Sequence, residues 1–441
     1  MTAPAKAPRN LGLDFFRGLA LIVIFINHMP GNPWFHITPS RLGPSDAAEA
    51  FVFLSGFAAA LAYGKSFSQA GILLGSVQVL TRCIQLYLAH LALFMAMVFL
   101  SISIDRWGLD NLDYFLNQTR DAVKNLLTLR YVPNFIGILP MYLVIMLWLP
   151  VVWALSRLHR AAALAFPVVL YLSTIKLNWA FIADPLTGNT WYFNPFCWQL
   201  LFFTGFGFGN GWLPMPRASS LLTTVCLLYV VACFPLENAW RYDGLGAITA
   251  WREHWLMLLD KSQLGILRYL HFLAMAYLIR LWMLRHPAWL HNRFVGTLIT
   301  LGQQSLPMFM LGTCLSFVGG MLLDREQANL INSAPVNLAG IAIMLLVAQT
   351  LKWLDQKPWK AVREPQAPVA TRLWPQQMAL AVGLLAMASA PLLLLQHETQ
   401  TAMVMAQDAA DIVVSPLEPE IVTEDVVYQP GQDAIDMPDT L

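Results

Sequence analysis

The 441-residue sequence predicts an all-α polytopic integral membrane protein of about 11 transmembrane helices, with a cytoplasmic N-terminus and its C-terminal tail on the far side. Three observations predict it. Hydrophobic residues make up 57 % of the chain and charged residues only 12 %, against about 25 % charged in soluble domains. Apolar windows of roughly 20 residues, the length that crosses a bilayer, recur along the chain. Every even-numbered connection between those windows carries Lys or Arg, while the odd-numbered ones are longer and mixed in charge, the pattern of a chain threaded with its positive loops inside.

The windows, in order, are 13–29, 47–64, 78–101, 138–155, 161–176, 195–210, 218–235, 264–284, 295–320, 336–353 and 374–395. The first follows Lys6 and Arg9 and could be mistaken for a signal peptide. Asp14 and Arg17 interrupt its apolar core and no small-residue cleavage site follows, so it is read as an uncleaved span. The sixth is the weakest, short and carrying Gly205, Gly207 and Gly209. The ninth is long and contains Pro307, where a kink or break is expected.

Charge sets the direction. Lys6 and Arg9 precede the first window, Lys65 and Arg82 flank the second connection, and Arg157 and Arg160 the fourth. Arg217 lies in the sixth, Arg285 and Arg293 in the eighth, and Lys352, Lys357, Lys360, Arg363 and Arg372 in the tenth. With eleven spans all of these share the cytoplasmic side. The chain then divides into a cytoplasmic segment 1–12, a multi-span membrane domain 13–395 and a tail 396–441. The tail is acidic from Asp408 onward, has no Lys or Arg there, and is expected to be disordered. No internal repeat is present. A formal net charge of +1 excludes a nucleic-acid binder by electrostatics. The five cysteines are scattered through apolar stretches with no metal-site spacing, so no metal is expected.

Chemistry is expected first on the opening span. Arg17 and His28 are eleven residues apart, which returns to nearly the same helix face about 16 Å along the axis, and Asp14 lies one turn before Arg17. Ionisable groups inside a span are costly and mark a water-filled path or a reaction cavity. The competing readings are an interfacial histidine, a snorkelling arginine and a local Asp14–Arg17 pair. A turn-rich stretch, Pro30 to Trp34, separates His28 from the second span, which opens with Asp46 and Glu49 on one helix face. A carboxylate beside His28 would fix its tautomer and raise its basicity. The same two acids also read as a capping box, an ordinary structural role.

A second pair, Arg268 and His271, lies near the outer end of the eighth span with Tyr269 and Tyr277 close by in sequence. It reads either as an anion- or glycan-binding pair or as an interfacial belt. Arg82 and Arg293 read as positive-inside residues or as partners of Arg17 on phosphate. Gln303, Gln304 and Ser305 could line a cavity or bond between helices. Trp198 and Gln199 read as a sugar platform or, by preference, as interfacial packing, and His90 as a satisfied core histidine.

Three stretches carry a resemblance: Asp14-Phe15-Phe16-Arg17-Gly18-Leu19-Ala20, Ile24-Phe25-Ile26-Asn27-His28, and Ser45-Asp46-Ala47-Ala48-Glu49-Ala50-Phe51-Val52-Phe53-Leu54-Ser55-Gly56. Together they resemble the signature of the OpgC family, within the broader membrane acyltransferase superfamily that modifies cell-surface polysaccharides. Weaker matches are Trp198-Gln199-Leu200-Leu201-Phe202, Asp260-Lys261 with Leu264-Gly265-Ile266-Leu267-Arg268, and Leu301-Gly302-Gln303-Gln304-Ser305-Leu306-Pro307. The resemblance covers roughly residues 10–375. It implies a multi-pass protein of the bacterial inner membrane, with the tail periplasmic. The implied activity is O-acyl transfer, with succinyl the expected acyl group, to an osmoregulated periplasmic glucan or another cell-envelope polysaccharide. On this reading acyl-CoA is a co-substrate and no cofactor is held. The partners are acyl-CoA, the glucan, the lipid bilayer and glucan-synthesis proteins. His28 would be the general base with Asp46 or Glu49. Arg17, with Asp14, Arg82 and Arg293, would lie at the CoA end, and Arg268 with His271 would receive a carboxylated acyl group. The alternative is a transporter or flippase of a glycan or acyl precursor, which predicts broken helices in two related halves.

Overall fold

The computed structural model describes residues 10–103, 112–237, 246–324 and 328–358. The chain divides into two units, Met1–Arg372 and Leu373–Leu441. The predicted window 374–395 and the acidic tail lie outside the described residues, as do Lys6 and Arg9.

The described chain is helical throughout the predicted membrane region, and seven helical stretches are long and apolar enough to cross a membrane. It is a multi-pass membrane protein. Helix α1 (Leu11–His28) starts where Asn10 Oδ1 accepts from Leu13 N, at 3.2 Å. Two short 3₁₀ turns, Pro33–Ile37 and Pro39–Arg41, occupy the proline-rich connection that follows.

Helix α2 (Ala47–Ser103) takes in both the second and third windows. Its 57 residues would measure about 85 Å as one straight helix, far more than the roughly 30 Å of a hydrocarbon core. It is broken at Gly71, whose φ of 83° is open to glycine at little cost. The Phe67 ring lies against Gly75, whereas eight residues of straight helix would hold them about 12 Å apart. The stretch is therefore two arms joined by a sharp bend.

Short helices α3 (Asp113–Asn117) and α4 (Thr119–Leu127) lead to α5 (Ile138–Leu147) and α6 (Leu149–Leu158), which form one crossing with a step at Trp148. Helix α7 (Arg160–Leu177) ends at Asn178 in the left-handed conformation. The weak sixth window is helix α8 (Pro195–Gly209), only about 22 Å long but central. Trp198, Leu201, Phe202 and Phe206 are fully buried. Its glycines allow backbone contact with α2: Gly205 meets the Phe53 carbonyl and, reciprocally, Gly56 meets the Phe202 carbonyl.

Helices α9 (Ser220–Glu237), α10 (Gly246–His254) and α11 (Leu256–Leu259) precede α12 (Ile266–Arg285). The ninth window is not one span. It divides into α13 (Arg293–Gln303) and α14 (Ser305–Asp324) at Gln304. Leu298 lies at Gly18 and Gly302 at Asp14, so α13 runs antiparallel to α1. Gly312 then faces Phe25 and Gly319 faces Met29, so α14 runs alongside α1 in the same direction. Pro307 does not make the break. It sits in the first turn of α14, where a missing N–H costs nothing. Helix α15 (Ala334–Asp355) returns along this pair, fixed by Asn32 and Asn337, whose buried amides bond reciprocally at 2.8 and 3.0 Å.

Small residues thus set the packing around α1. A side chain at Gly302 would meet the Asp14 carbonyl and the Gly18 N–H. Gly302→Val is expected to lose about 1–3 kcal/mol by overpacking, read as a lower melting temperature in detergent. An unchanged melt would remove this contact from the list of what holds α13 in place.

Candidate active site

The site grows from the first turn of α2. Asp46 Oδ1 accepts from Ala48 N at 2.8 Å, and Glu49 Oε2 accepts from Asp46 N at 2.8 Å. This is the reciprocal capping box. Each carboxylate has a second oxygen, and both of those face cations. Glu49 Oε1 accepts from Arg268 Nε and pairs with Nη2, each at 2.8 Å. Asp46 Oδ2 accepts from Lys261 Nζ and lies 3.6 Å from Arg268 Nη2. The structural and functional readings of these acids therefore coexist, because one carboxylate can serve a backbone N–H and a cation at once.

The ions are buried unequally. Glu49 has no exposed surface and Arg268 almost none, while the Lys261 side chain keeps 27 % exposure. Burial alone would raise the Asp46 pKa, but Lys261 and then Arg268 overcome it and hold the carboxyl well below the usual range. Burial alone would lower Lys261, and Asp46 and Glu49 outweigh it, holding the ammonium above its ordinary value. Both stay charged at neutral pH. The stability contributed by the depressed Asp46 is present above its unfolded pKa of about 3.9 and is lost only as pH falls below it.

Lys261 lies on a loop gripped by the neighbouring helices. Trp198 Nε1 donates to the Lys261 carbonyl at 3.0 Å, and Asn194 N donates to the Ser262 carbonyl at 3.1 Å. Tyr171 Oη donates to the Leu264 carbonyl at 3.2 Å. The ammonium also lies 6.0 and 5.9 Å from the ring centroids of Tyr192 and Phe193. Beside Arg268 on α12, His271 Nδ1 meets Ser45 Oγ at 2.6 Å, with Gly43 against its ring.

His28 ends α1 at the rim of this cluster. Its ring meets Phe135 edge-on, with centroids 5.8 Å apart, and its Nδ1 is buried without a hydrogen-bond partner. It lies within electrostatic reach of Lys261 and Asp46. The imidazole is half-buried. One expectation needs correction. Asp46 is within electrostatic reach of His28, but its hydrogen bonds among the described residues go to Ala48 and Lys261.

The other end of α1 holds a separate group. Asp14 is buried and accepts from Gln303 Nε2 at 3.3 Å. Arg17 and Arg82 both lie within electrostatic reach of Tyr142 on α5. Arg82 Nη1 also bonds Gln85 Oε1 at 3.1 Å. Arg293 is exposed at the head of α13.

The two expected pairs, Asp46–Glu49 and Arg268–His271, thus form one cluster. Arg268 is turned onto Glu49 and also lines a cavity of about 820 Å³ with Pro44, Asp260 and Gln263. The tyrosines expected near it go elsewhere: Tyr269 Oη meets Thr204 Oγ1 at 2.9 Å, and Tyr277 Oη accepts from Ser219 N at 3.2 Å. Gln304 donates to Asp355 at 2.7 Å and Ser305 to the Gly302 carbonyl, so with Gln303 these polar residues join structural elements. Trp198 and Gln199 are fully buried packing residues, as read. His90 is buried, but neither ring nitrogen has a hydrogen-bond partner of normal geometry, so it is not the satisfied histidine expected. Ser45 and Lys261 stood in the motifs without an assigned role, and Tyr142 escaped the sequence reading. Two acids at a helix start call for cations, but that signal does not say which ones.

The family model described as OpgC protein matches residues 9–356. No curated protein and no solved structure matches the chain.

Proposed function

The chain belongs to the OpgC family, and from that premise we propose that it is a membrane-embedded O-acyltransferase. It moves an acyl group, expected to be succinyl, from cytoplasmic acyl-CoA to hydroxyls of a periplasmic glucan. The observation that carries this reading is the half-buried His28 at the end of α1, within electrostatic reach of the Asp46–Lys261 pair. His28 takes the proton of the acceptor hydroxyl as that oxygen attacks the thioester carbon. The carbon–sulfur bond then breaks, and the proton passes from the imidazolium to the leaving thiolate. Asp46 acts on His28 through its field, and Glu49 with Arg268 holds the helix start that carries Asp46.

Arg17 and Arg82 hold the phosphates of CoA at the opposite end of α1. Guanidinium forks suit phosphate oxygens. The roughly 16 Å from Arg17 to His28 matches an extended pantetheine arm in length. This assignment needs the Arg17 end of α1 on the cytoplasmic side.

The test is direct. Purified protein in detergent is given radiolabelled succinyl-CoA and a neutral glucan, and labelled glucan and free CoA are followed. Stoichiometric appearance of both is expected. No transfer from any of several acyl-CoAs would reject the enzyme reading in favour of transport. Arg17→Met is expected to raise KM for acyl-CoA about 10- to 100-fold, the loss of one charged hydrogen-bonding contact, with a much smaller change in kcat. An unchanged KM would move the phosphate site elsewhere.

A further inference from the structure

Acyl transfer needs more than a base. As the acceptor oxygen adds to the thioester carbon, the carbonyl oxygen becomes an oxyanion, and a preorganised donor aimed at it supplies a large share of the rate. We propose that the Lys261 ammonium is that donor, a catalytic residue opposite His28. The inference rests on the acyl-transfer reading above.

Four observations point to Lys261 rather than to its neighbours. It is a cation paired with Asp46 whose side chain keeps 27 % exposure, and its charge reaches His28. An ammonium has three N–H groups, and Lys261 gives one to Asp46 among the described residues, with the rings of Tyr192 and Phe193 around it. Arg268 is committed to Glu49 through both Nε and Nη2 and is far more deeply buried. The Lys261 backbone, finally, is pinned through its own carbonyl by Trp198. A loop residue held this firmly is preorganised, which is what oxyanion stabilisation demands.

The step balances. The acceptor O–H proton goes to His28 and the new C–O bond forms. The carbonyl electron pair moves onto oxygen, where the Lys261 N–H groups receive it. The pair then returns to re-form C=O as the C–S bond breaks, and the thiolate leaves with the proton from His28. Lys261 remains an ammonium throughout, and Asp46 balances its charge at rest.

Lys261→Met is expected to lower kcat for acyl transfer about 10²- to 10³-fold, with KM for acyl-CoA within about threefold of wild type. A residue that merely supports the fold would change both constants together, or change only the melting temperature. Should the Met variant fail to fold, Lys261→Arg keeps the charge and the Asp46 pair but displaces the donor. A fall in its kcat at constant KM supports the proposal. Wild-type kcat in whichever variant folds overturns it, as does a parallel loss of kcat and acyl-CoA binding. Absence of transfer by the wild-type protein would instead reject the underlying acyltransferase reading, so the two failures are distinct.

Discussion

Replacing His28 by alanine is expected to reduce kcat by about 10²- to 10⁴-fold, the usual contribution of a positioned general base. Thermal stability should barely change. The ring makes no hydrogen bond to protein among the described residues, so truncation strands no donor or acceptor elsewhere. What is lost is the packing of a half-buried ring, including its edge contact with Phe135. This combination, a collapsed rate on an intact fold, is what a catalytic group predicts and an interfacial histidine does not. Turnover and melting temperature measured on the same preparation decide it. Near-normal turnover in His28→Ala would remove the base assignment and leave the arginine end of α1 as the surviving part of the reading.

The second large effect is on stability. Arg268→Met leaves Glu49, with no exposed surface, as an uncompensated buried charge. Breaking such a pair from one side costs about 3–5 kcal/mol. Glu49→Gln should cost less, because Arg268 still has Asp46 at 3.6 Å and a neutral amide can still accept from the Asp46 N–H. The double variant should be more stable than the sum of the single losses predicts, since the second change removes the charge that the first one stranded. Thermal unfolding of the four proteins in one detergent gives the coupling. Strict additivity would mean that the two side chains do not act as a pair, contrary to their two 2.8 Å contacts.

Much of the architecture was legible one residue at a time. Apolar length located α1, α7, α12 and α15 to within about two residues, because a bilayer imposes the same length on every crossing. Apolar length was a poor guide where the chain breaks without changing composition. Nothing in the hydropathy of 295–320 distinguishes a reversal at Gln304 from a straight helix, and Pro307 drew the expected break to the wrong place. The glycines of α8 looked like weakness in a helix. They are instead what lets it lie against α2 at backbone distance.

The site divides in the same way. The sequence by itself determined the stripe of Asp14, Arg17 and His28, because helix periodicity is a local property. It also determined the capping box of Asp46 and Glu49, because a cap involves only residues three apart. Only the tertiary structure decided which cations answer those acids. Lys261 and Arg268 are more than 200 residues away in the chain, and their arrival depends on how α12 and the loop before it pack against α2 and α8. The physical reason is that burying a carboxylate requires a partner charge but leaves open which segment supplies it. Packing makes that choice, and in this protein it turns two separately legible pairs into one site beside His28.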